Sequence, residues 1–495
     1  MKKNYANSLV KVLCLILFVF LGFRQFTVAQ EKFGLTTSNY GGINAAQLNP
    51  AATVNSKLFL DFNLMSAGFF LENNFLYIHQ KDYNFFNFLQ KNPKWPSLDV
   101  KGQGLDYYES VEKVDGFQRN DIMGPSFAIA AGNIAYGFFT KAVTVTSING
   151  LPDDIAILMY EGLKYDSLYG IENLNSKFNA ATVGWGEIGI NFSGIFKEYR
   201  RNRWSAGINL RRLLGYGSAY ITNNSMDYTL VNDSTLDIRD LEAESGFSLP
   251  YNYESNQFPD DGNFFKGKGT AIDIGVMYEK KTYYPVRTHL KRNCSYEYED
   301  YLYRIGLSLL DAGSIKFSRN AQVHSFSDIR VYWDEVDTLA FQNLNSAVYD
   351  ISQVLYNDSL ASLKANSFKI AMPAALSLQA DFQYYQNWFL NTTFVLPLKT
   401  SDVQISRPSQ AILSVRYESR WFEIGFPLSL YDFQKPRMGL FGRIYFFSFG
   451  TEKLGGLFGF SDFTGLDLYF SFKYNILKGD CNRYKPHHDC RHLTF

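Results

Sequence analysis

Hydrophobic and polar residues alternate through two neighbouring stretches of the chain between Gly184 and Tyr220. In the first stretch Ile188, Ile190 and Phe192 alternate with polar residues and glycine, and residues 204–210 repeat the pattern after the charged segment KEYRRN. A period of two residues is typical of a β-strand with one apolar and one polar face. The two stretches therefore predict a long two-stranded hairpin with a short charged connection.

The same alternation recurs along most of the chain and predicts a barrel of about 14 strands. It is found, among other places, in residues 57–78, 125–131, 134–146, 270–278, 303–309, 376–383, 388–397, 413–418, 422–430 and 466–476. Strands of soluble proteins average about five or six residues, whereas about 9 to 11 tilted residues cross a bilayer core. Because these strands are long and a closed barrel leaves no unpaired edge in lipid, the sequence favours an all-β transmembrane antiparallel β-barrel over a soluble β protein.

The composition supports a membrane barrel and excludes one class of partner. Aromatic residues make up 17% of the chain and charged residues 19%, with 34 Tyr and 44 Phe available for aromatic girdles at two membrane interfaces. Lys and Arg number 48, as do Asp and Glu, so the net charge of zero provides no field that would recruit nucleic acid. The expected surroundings are outer-membrane lipid, and we expect no nucleic-acid partner.

The first 29 residues have the pattern of a secretory signal peptide. Lys2 and Lys3 form a basic start, residues 12–22 an apolar run, and Thr27-Val28-Ala29 a cleavage site. That run is too short for a membrane span, and no other stretch reaches the roughly 20 apolar residues that a spanning helix needs. We expect export to the outer membrane. The predicted division is 1–29 signal peptide, 30–56 N-terminal segment, 57–477 barrel and 478–495 C-terminal tail.

Long loops and tight turns are predicted to lie at opposite ends of the barrel. Residues 132–133, 386–387 and 419–420 form tight turns, whereas residues 79–123 and 314–372 form long insertions with loop helices predicted at 151–163 and 347–363. The strand count places the tight turns opposite the chain termini, although ordinary barrels place them on the same side. We attribute this conflict to one missed strand near each end, rather than to large periplasmic insertions.

Residues 30–56 resemble the N-terminal segment of the outer-membrane fatty-acid-transporter class of barrels and of its secretion-associated relatives. The resemblance rests on Asn49, Pro50 and Ala51, which match an Asn-Pro-Ala motif that precedes the first strand in that class. It implies that the segment enters the barrel as a plug or hatch. The alternative is a flexible leader.

Three segments together resemble a family of uncharacterised outer-membrane barrels from the Bacteroidota. They are the hairpin GWGEIGINFSGIF with GINLRRLLGYGSAY, the early Asn-Pro-Ala motif, and YRIGLSLLDAGSIKF at residues 303–317. The resemblance implies an outer-membrane location but no activity.

Charged residues on the polar face of the predicted strands are candidates for the barrel lumen. They are Glu187, Arg211, Asp273, Arg304, Asp381, Arg416, Glu423, Asp467 and Lys473. Because both signs occur, we expect most of them to pair across the interior, whereas a selective pore would more often cluster one sign at a constriction. The apolar residues of the same strands would then face lipid.

The sequence gives little support for a catalytic site or a metal-binding site. No histidine lies in a strand beside a matching Ser and acid, so we expect neither an enzyme nor a cofactor. The tail holds Cys481 and Cys490 among three histidines, which suits a disulfide in an oxidising compartment or a zinc site. We favour the disulfide and assign no metal.

Two functions remain open. The first is passive transport or binding of a small hydrophobic solute, with the N-terminal segment as a hatch. The second is a non-transporting accessory subunit that docks with envelope proteins. An apolar pocket inside the barrel would favour the first function. An interior filled with paired charges, beside an exposed apolar loop patch, would favour the second.

Overall fold

The computed structural model describes residues 32–82, 104–260, 262–282, 298–338 and 342–478. In chain order its strands are β1 Leu58–Asn73, β2 Leu76–Ile78, β3 Leu105–Tyr107, β4 Lys113–Met123, β5 Ser126–Ala131, β6 Ile134–Pro152, β7 Glu172–Asn173, β8 Phe178–Tyr199, β9 Asn202–Leu230, β10 Leu236–Ser248, β11 Gly267–Lys281, β12 Tyr301–Phe317, β13 Ala321–Phe326, β14 Val331–Trp333, β15 Leu363–Ala365, β16 Phe368–Ala371, β17 Ala375–Tyr385, β18 Trp388–Pro397, β19 Gln410–Glu418, β20 Phe422–Tyr431, β21 Lys435–Met438, β22 Leu440–Ile444, β23 Phe447–Thr451 and β24 Gly465–Leu477. The α-helices are α1 Phe33–Thr36, α2 Ala52–Asn55, α3 Asp153–Glu161, α4 Leu344–Tyr356 and α5 Leu454–Phe458, and 3₁₀ turns cover Ala45–Gln47, Asp166–Leu168 and Val336–Thr338.

The main sheet closes on itself as a barrel. Strand β1 pairs antiparallel with β24 on one side and with β4 and β5 on the other, so the wall has no free edge. Three wall strands are each built of two segments, namely β4 with β5, β16 with β17, and β21 with β22. Counted this way, the wall has 14 antiparallel strands, which confirms the predicted fold class and strand number.

The conflict over the position of the tight turns is resolved in favour of a miscount of strands. Leu58 pairs with Leu477, and Leu60 pairs with Ile129 just before the turn at 132–133, so this turn lies at the same end as both termini. Residues 57–78 supply one wall strand rather than two, and residues 435–451 supply two that the count had left out, so the error was not one missed strand near each end. The short turns therefore share the end of the termini, as in ordinary barrels. We call it the turn end and the opposite end the loop end.

The loop end carries the two predicted loop helices. Helix α3 lies within the predicted range 151–163, which confirms it. Helix α4 begins three residues before the predicted Ala347, because the Asn343 side chain accepts a hydrogen bond from the Ser346 amide and caps the helix there. It packs on an extension of the wall beyond the barrel rim that includes β10, β13 and β14.

The outer surface of the wall is apolar. On β8, Ile188, Ile190 and Phe192 are 49%, 55% and 48% exposed. Glu187, which directly precedes Ile188 and faces the other way, is only 3% exposed. Near the turn end, aromatic side chains pair on the outside, as in Trp204 against Tyr278 with ring centroids 4.8 Å apart. Apolar residues thus face outward and polar residues inward, as a lipid-spanning barrel requires. Among the described residues, no helix is long and apolar enough to cross a membrane.

Candidate functional site

The interior of the barrel changes in polarity from the turn end to the loop end. Along β8 the buried residues pass from Ser193 and Asn191, through Glu187, to Trp185 and Val183. The neighbouring strand β9 shows the same order of polar, charged and apolar buried residues. The interior can therefore be divided into a lower polar layer, a middle charged layer and an upper apolar layer.

Residues 32–56, here called the N-terminal segment, lie inside the barrel in the lower and middle layers. The Ser38 hydroxyl donates to Glu423 Oε2 at 2.8 Å, and the Asn39 amide donates to Glu418 at 3.0 Å. On another side of the wall, Lys32 Nζ lies 2.8 Å from Asp121 Oδ2. The segment is thus bonded to several wall strands and fills the space between them.

The Asn-Pro-Ala motif lies against β9, β11 and β12. Asn49 Nδ2 donates to Gln379 Oε1 at 2.9 Å, and Asn49 Oδ1 accepts from the Ala51 amide at 3.0 Å. The Pro50 carbonyl accepts from Asn191 Nδ2 at 3.1 Å. The asparagine therefore both fixes the local turn and contacts the wall.

Three wall glycines make room for this motif, and we call them the glycine seat. Gly207 on β9 pairs directly with Gly275 on β11, and Gly306 lies on the neighbouring β12. A Cβ at Gly207 would lie 2.4 Å from the Pro50 carbonyl carbon, and one at Gly275 would lie 2.2 Å from Asn49 Oδ1. Any side chain on either residue would collide with the N-terminal segment.

The structure buries all nine charged residues that the sequence assigned to the lumen. They are Glu187, Arg211, Asp273, Arg304, Asp381, Arg416, Glu423, Asp467 and Lys473, each 9% exposed or less. They are spread around the wall rather than gathered at one constriction, and residues of both signs contact one another.

One set of ion pairs surrounds Arg211 in the middle layer. Its guanidinium lies 2.5 Å from Asp273 Oδ1, 2.8 Å from Asp311 Oδ1 and 3.4 Å from Glu187 Oε2. Asp311 escaped the sequence interpretation because a β-bulge at this point of β12 shifts the alternation by one residue. It has a left-handed backbone conformation, with φ of 54°, which few residues other than glycine adopt.

A second set lies in the lower layer around Arg416. Its guanidinium lies 2.8 Å from Asp381 and 2.6 Å from Glu418, with Glu423 at 3.5 Å. Of these partners, Glu418 ends its strand, and the sequence interpretation did not assign it to the lumen although it shares the inward phase of Arg416.

The other assigned charges find partners elsewhere in the lumen. Arg304 Nε lies 2.7 Å from Glu279 Oε1, and Lys473 Nζ lies 3.5 Å from Asp61 Oδ1. Asp467 Oδ2 accepts from the backbone amide of Glu452 at 2.8 Å. The charges of the lower and middle layers thus serve mainly to bond wall strands to one another and to the N-terminal segment.

The upper layer is mostly apolar, with one ion pair at its edge, where the Arg437 guanidinium lies 3.9 Å from the Tyr431 ring centroid and 2.5 Å from Glu72 Oε2. At its base, the Trp185 indole donates to Glu187 Oε2 at 3.0 Å and so joins the charged layer to the apolar one. Its buried members pack against one another and are, in sequence order, Phe70, Phe117, Val143, Val145, Ala181, Val183, Trp185, Leu213, Tyr220, Ala271, Ile315, Phe317, Ala321, Val323, Phe368, Ile370, Met372, Ile405 and Tyr431. We call this set the apolar layer.

The loop between β18 and β19, residues 398–409, folds inward over the apolar layer, and we call it the inward loop. The Val403 carbonyl accepts from the Ala371 amide at 3.1 Å, and the Ser406 amide donates to Ser147 Oγ on β6 at 3.1 Å. Arg407 reaches down to Asp311 Oδ2 at 3.0 Å. Because β6 and β16 are separated in the wall, the loop spans the lumen and closes its upper end.

Two small cavities lie in the described interior. One cavity of about 40 Å³ lies between the N-terminal segment and the wall near Asn49 and Gln379. A second, of about 30 Å³, lies beside Arg119 and Lys141. About 10 to 15 Å³ of such volume holds one water molecule, so each of these two cavities has room for only a few water molecules.

No group of three or more His, Cys, Asp or Glu among the described residues is arranged to hold a metal ion. The predicted disulfide pair, Cys481 and Cys490, and the predicted signal peptide lie outside the described residues.

A closed barrel with an apolar outer surface and an N-terminal segment folded into its lumen defines a plugged transmembrane β-barrel. The chain belongs to DUF5723, a family of unknown function, whose pattern matches residues 50–451. No curated protein matches it in sequence.

Several solved barrels are similar to the chain. A deletion mutant of the TodX monoaromatic hydrocarbon channel, called deltaS2S3, has a TM-score of 0.40 and 10% identity, covering 88% of this chain and 95% of that chain. The P. putida toluene transporter TodX has a TM-score of 0.36 and 10% identity with the same coverage, 88% and 95%. A FadL homologue of Pseudomonas aeruginosa has a TM-score of 0.23 and 10% identity, covering 91% of this chain and 99% of that chain.

Proposed function

We propose that this protein is an outer-membrane barrel that binds a small apolar solute in the apolar layer and passes it across the membrane. The observation that carries the proposal is the apolar layer itself, because the interiors of membrane barrels are ordinarily polar. Phe317, Phe368, Ile370 and Leu213 are buried in it with Trp185. A chamber of this composition favours an apolar ligand over an ion or a sugar.

The inward loop is the element whose movement would admit the solute. It inserts Ile405 into the apolar layer, and its neighbouring residues Lys399 and Asp402 are exposed at the rim. If the loop moved outward, the place of Ile405 would become free for an apolar ligand of similar size. The ligand would then bury the surface that the loop covers now.

The lower layers would keep water and ions from following. The N-terminal segment is bonded to the wall by buried ion pairs such as Lys32 with Asp121. Breaking such a pair leaves an uncompensated buried charge, which costs about 3 to 5 kcal/mol. Passage of the solute would therefore require a movement of this segment, which acts in this proposal as the hatch.

Binding can be tested by fluorescence, because Trp185 lies in the layer. Bromobenzene, a small apolar heavy-atom quencher, would be titrated into the detergent-purified protein and into the Trp185→Phe variant. We expect a saturable loss of emission in the wild type that the variant lacks. Non-saturable quenching of outward-facing tryptophans such as Trp204, Trp388 and Trp421 should be equal in both proteins. Parallel, non-saturating quenching in the two proteins would contradict binding in the layer.

The second function keeps one observation in its favour. The lower and middle layers are filled by paired charges, as around Arg211 and Arg416, and such an interior also suits a barrel that conducts nothing and serves as a subunit of an envelope complex. Native purification in mild detergent separates the two functions. Stoichiometric protein partners, together with a negative quenching experiment, would favour the accessory subunit.

A further inference from the structure

One arginine of the middle layer is largely buried and has no close partner among the described residues. Arg119 on β4 has a side chain 11% exposed, and the carboxylate within ion-pair distance, Asp311, lies with its Oδ2 4.0 Å from Arg119 Nη1. Its Nε has no hydrogen-bond partner in the described part of the chain. Buried arginines normally form close charged hydrogen bonds, because an unpaired buried cation is costly. Arg119 therefore lacks a partner that its position demands.

A second cation beside it is only loosely paired. Lys141 on β6 is 8% exposed, and its ammonium lies 3.5 Å from Asp121 Oδ2. The same carboxylate oxygen already accepts from Lys32 Nζ at 2.8 Å. The Asp121 carboxylate is thus shared by two ammonium groups, those of Lys32 and Lys141.

The cavity of about 30 Å³ that these residues line has an excess of positive charge. Its cations are Lys32, Arg119, Lys141, Arg211 and Arg407, and its carboxylates are Asp121, Asp273 and Asp311. Glu187 adds a fourth carboxylate through its contact with Arg211. Five cations against four carboxylates leave one positive charge among the described residues. The Gln47 amide nitrogen of the N-terminal segment also lines the cavity, without a hydrogen-bond partner among these residues.

We propose that this cavity binds one monovalent anion of the size of chloride. The anion would accept from the Arg119 guanidinium, the Lys141 ammonium and the Gln47 amide, and it would neutralise the excess charge. The volume admits two or three water-sized species, which leaves room for a halide. Because Gln47 belongs to the N-terminal segment and the two cations belong to the wall, the bound anion would join the segment to β4 and β6.

The first test locates the anion directly. Crystals grown in sodium bromide would be measured at the bromine absorption edge. We expect an anomalous peak between Arg119, Lys141 and Gln47. If the wild-type crystals show bromide elsewhere but none in this cavity, the proposal is wrong.

The second test measures whether the anion stabilises the fold. Thermal unfolding would be followed in sodium chloride and in sodium gluconate at equal ionic strength, for the wild type and for Arg119→Gln. A ligand that binds the folded state raises its unfolding temperature in a saturable manner. We expect this chloride effect in the wild type, and we expect Arg119→Gln to weaken the apparent chloride affinity about tenfold or more, since one charge-assisted hydrogen bond is lost.

The control is Lys268→Gln, which removes the same charge from an exposed position on β11. It should keep the wild-type chloride dependence. An equal chloride effect in the wild type and in Arg119→Gln would mean that the ion acts elsewhere and would overturn the proposal. If Arg119→Gln fails to fold, the bromide measurement on the wild type still decides the question.

Discussion

The glycine seat offers the sharpest test of how the N-terminal segment is held. The Gly207→Ala substitution would place a Cβ 2.4 Å from the Pro50 carbonyl carbon and 2.6 Å from the Ala51 amide nitrogen. Carbon atoms in contact lie about 3.5 to 4.0 Å apart. The neighbours here are backbone atoms, so the clash cannot be relieved by rotating a side chain. The segment must move by about 1 Å or more.

Such a shift would break the hydrogen bonds that hold residues 46–50 to the wall. They are Asn209 Nδ2 to the Ala46 carbonyl at 2.9 Å, Ser308 Oγ to the Leu48 carbonyl at 2.7 Å, Asn49 Nδ2 to Gln379 at 2.9 Å and Asn191 Nδ2 to the Pro50 carbonyl at 3.1 Å. At about 1 kcal/mol each, their loss would weaken the seating of the segment by about 4 kcal/mol. The backbone ladder between β9 and β11 does not depend on these bonds, so we expect the barrel to persist.

Conductance across a planar bilayer would report the displaced segment. We expect Gly207→Ala to conduct small ions while the wild type stays closed. The matched control is Gly425→Ala, another inward-facing glycine, where the added Cβ meets its nearest atom at 3.7 Å. Heat-modifiable mobility on gels would verify that both variants are folded. A folded Gly207→Ala barrel that conducts no more than Gly425→Ala would refute the reasoning.

Two further predictions concern the inward loop and the loop-end helix. Asp311→Asn removes the carboxylate shared by Arg211 and Arg407; we expect a loss of about 3 to 5 kcal/mol of stability and faster tryptic cleavage after Lys399 in the same loop, and unchanged cleavage would contradict the role of Asp311 in holding the loop. Burial, reinforced by the charge of Asp153, raises the pKa of Asp154 to about 6, and its carboxylate accepts from the Tyr228 hydroxyl. Because the folded state binds this proton more tightly than the unfolded chain, its stabilising effect is present near pH 4 and is lost as the pH rises through about 6. Asp154→Asn should remove that part of the pH dependence of the unfolding temperature, and an unaltered profile would show that Asp154 is not its source.

The fold could be predicted because each wall strand carries its own local signal. Alternation in residues 188–192 or 466–476 marks a strand and its two faces without knowledge of any partner. Residues 440–451 carry the same alternation, but two short strands separated by a tight turn are easily read as one loop. The wrong end for the tight turns has another origin: counting residues 57–78 as two strands reverses the side of every later turn, whereas leaving out a pair of strands does not.

The pairing of the interior could not be predicted in the same way. Alternation assigns Arg211 or Asp273 to an inward face, but the contact partners depend on the stagger of strands around the barrel and on the N-terminal segment. Asp311 lies on a β-bulge that interrupts the two-residue alternation. Arg407 belongs to the inward loop, whose direction depends on the closed barrel wall and not on a local sequence pattern. The apolar layer was missed for a related reason, since its members are collected from many strands.

The central claim is that the apolar layer receives an apolar solute. The most direct measurement is the structure of the protein crystallised with bromobenzene, with the bromine located by anomalous scattering. The account predicts a peak inside the barrel among Trp185, Phe317 and Ile370, with Ile405 of the inward loop displaced. Bromine found on the lipid-facing surface alone, with the inward loop in its present place, would contradict it.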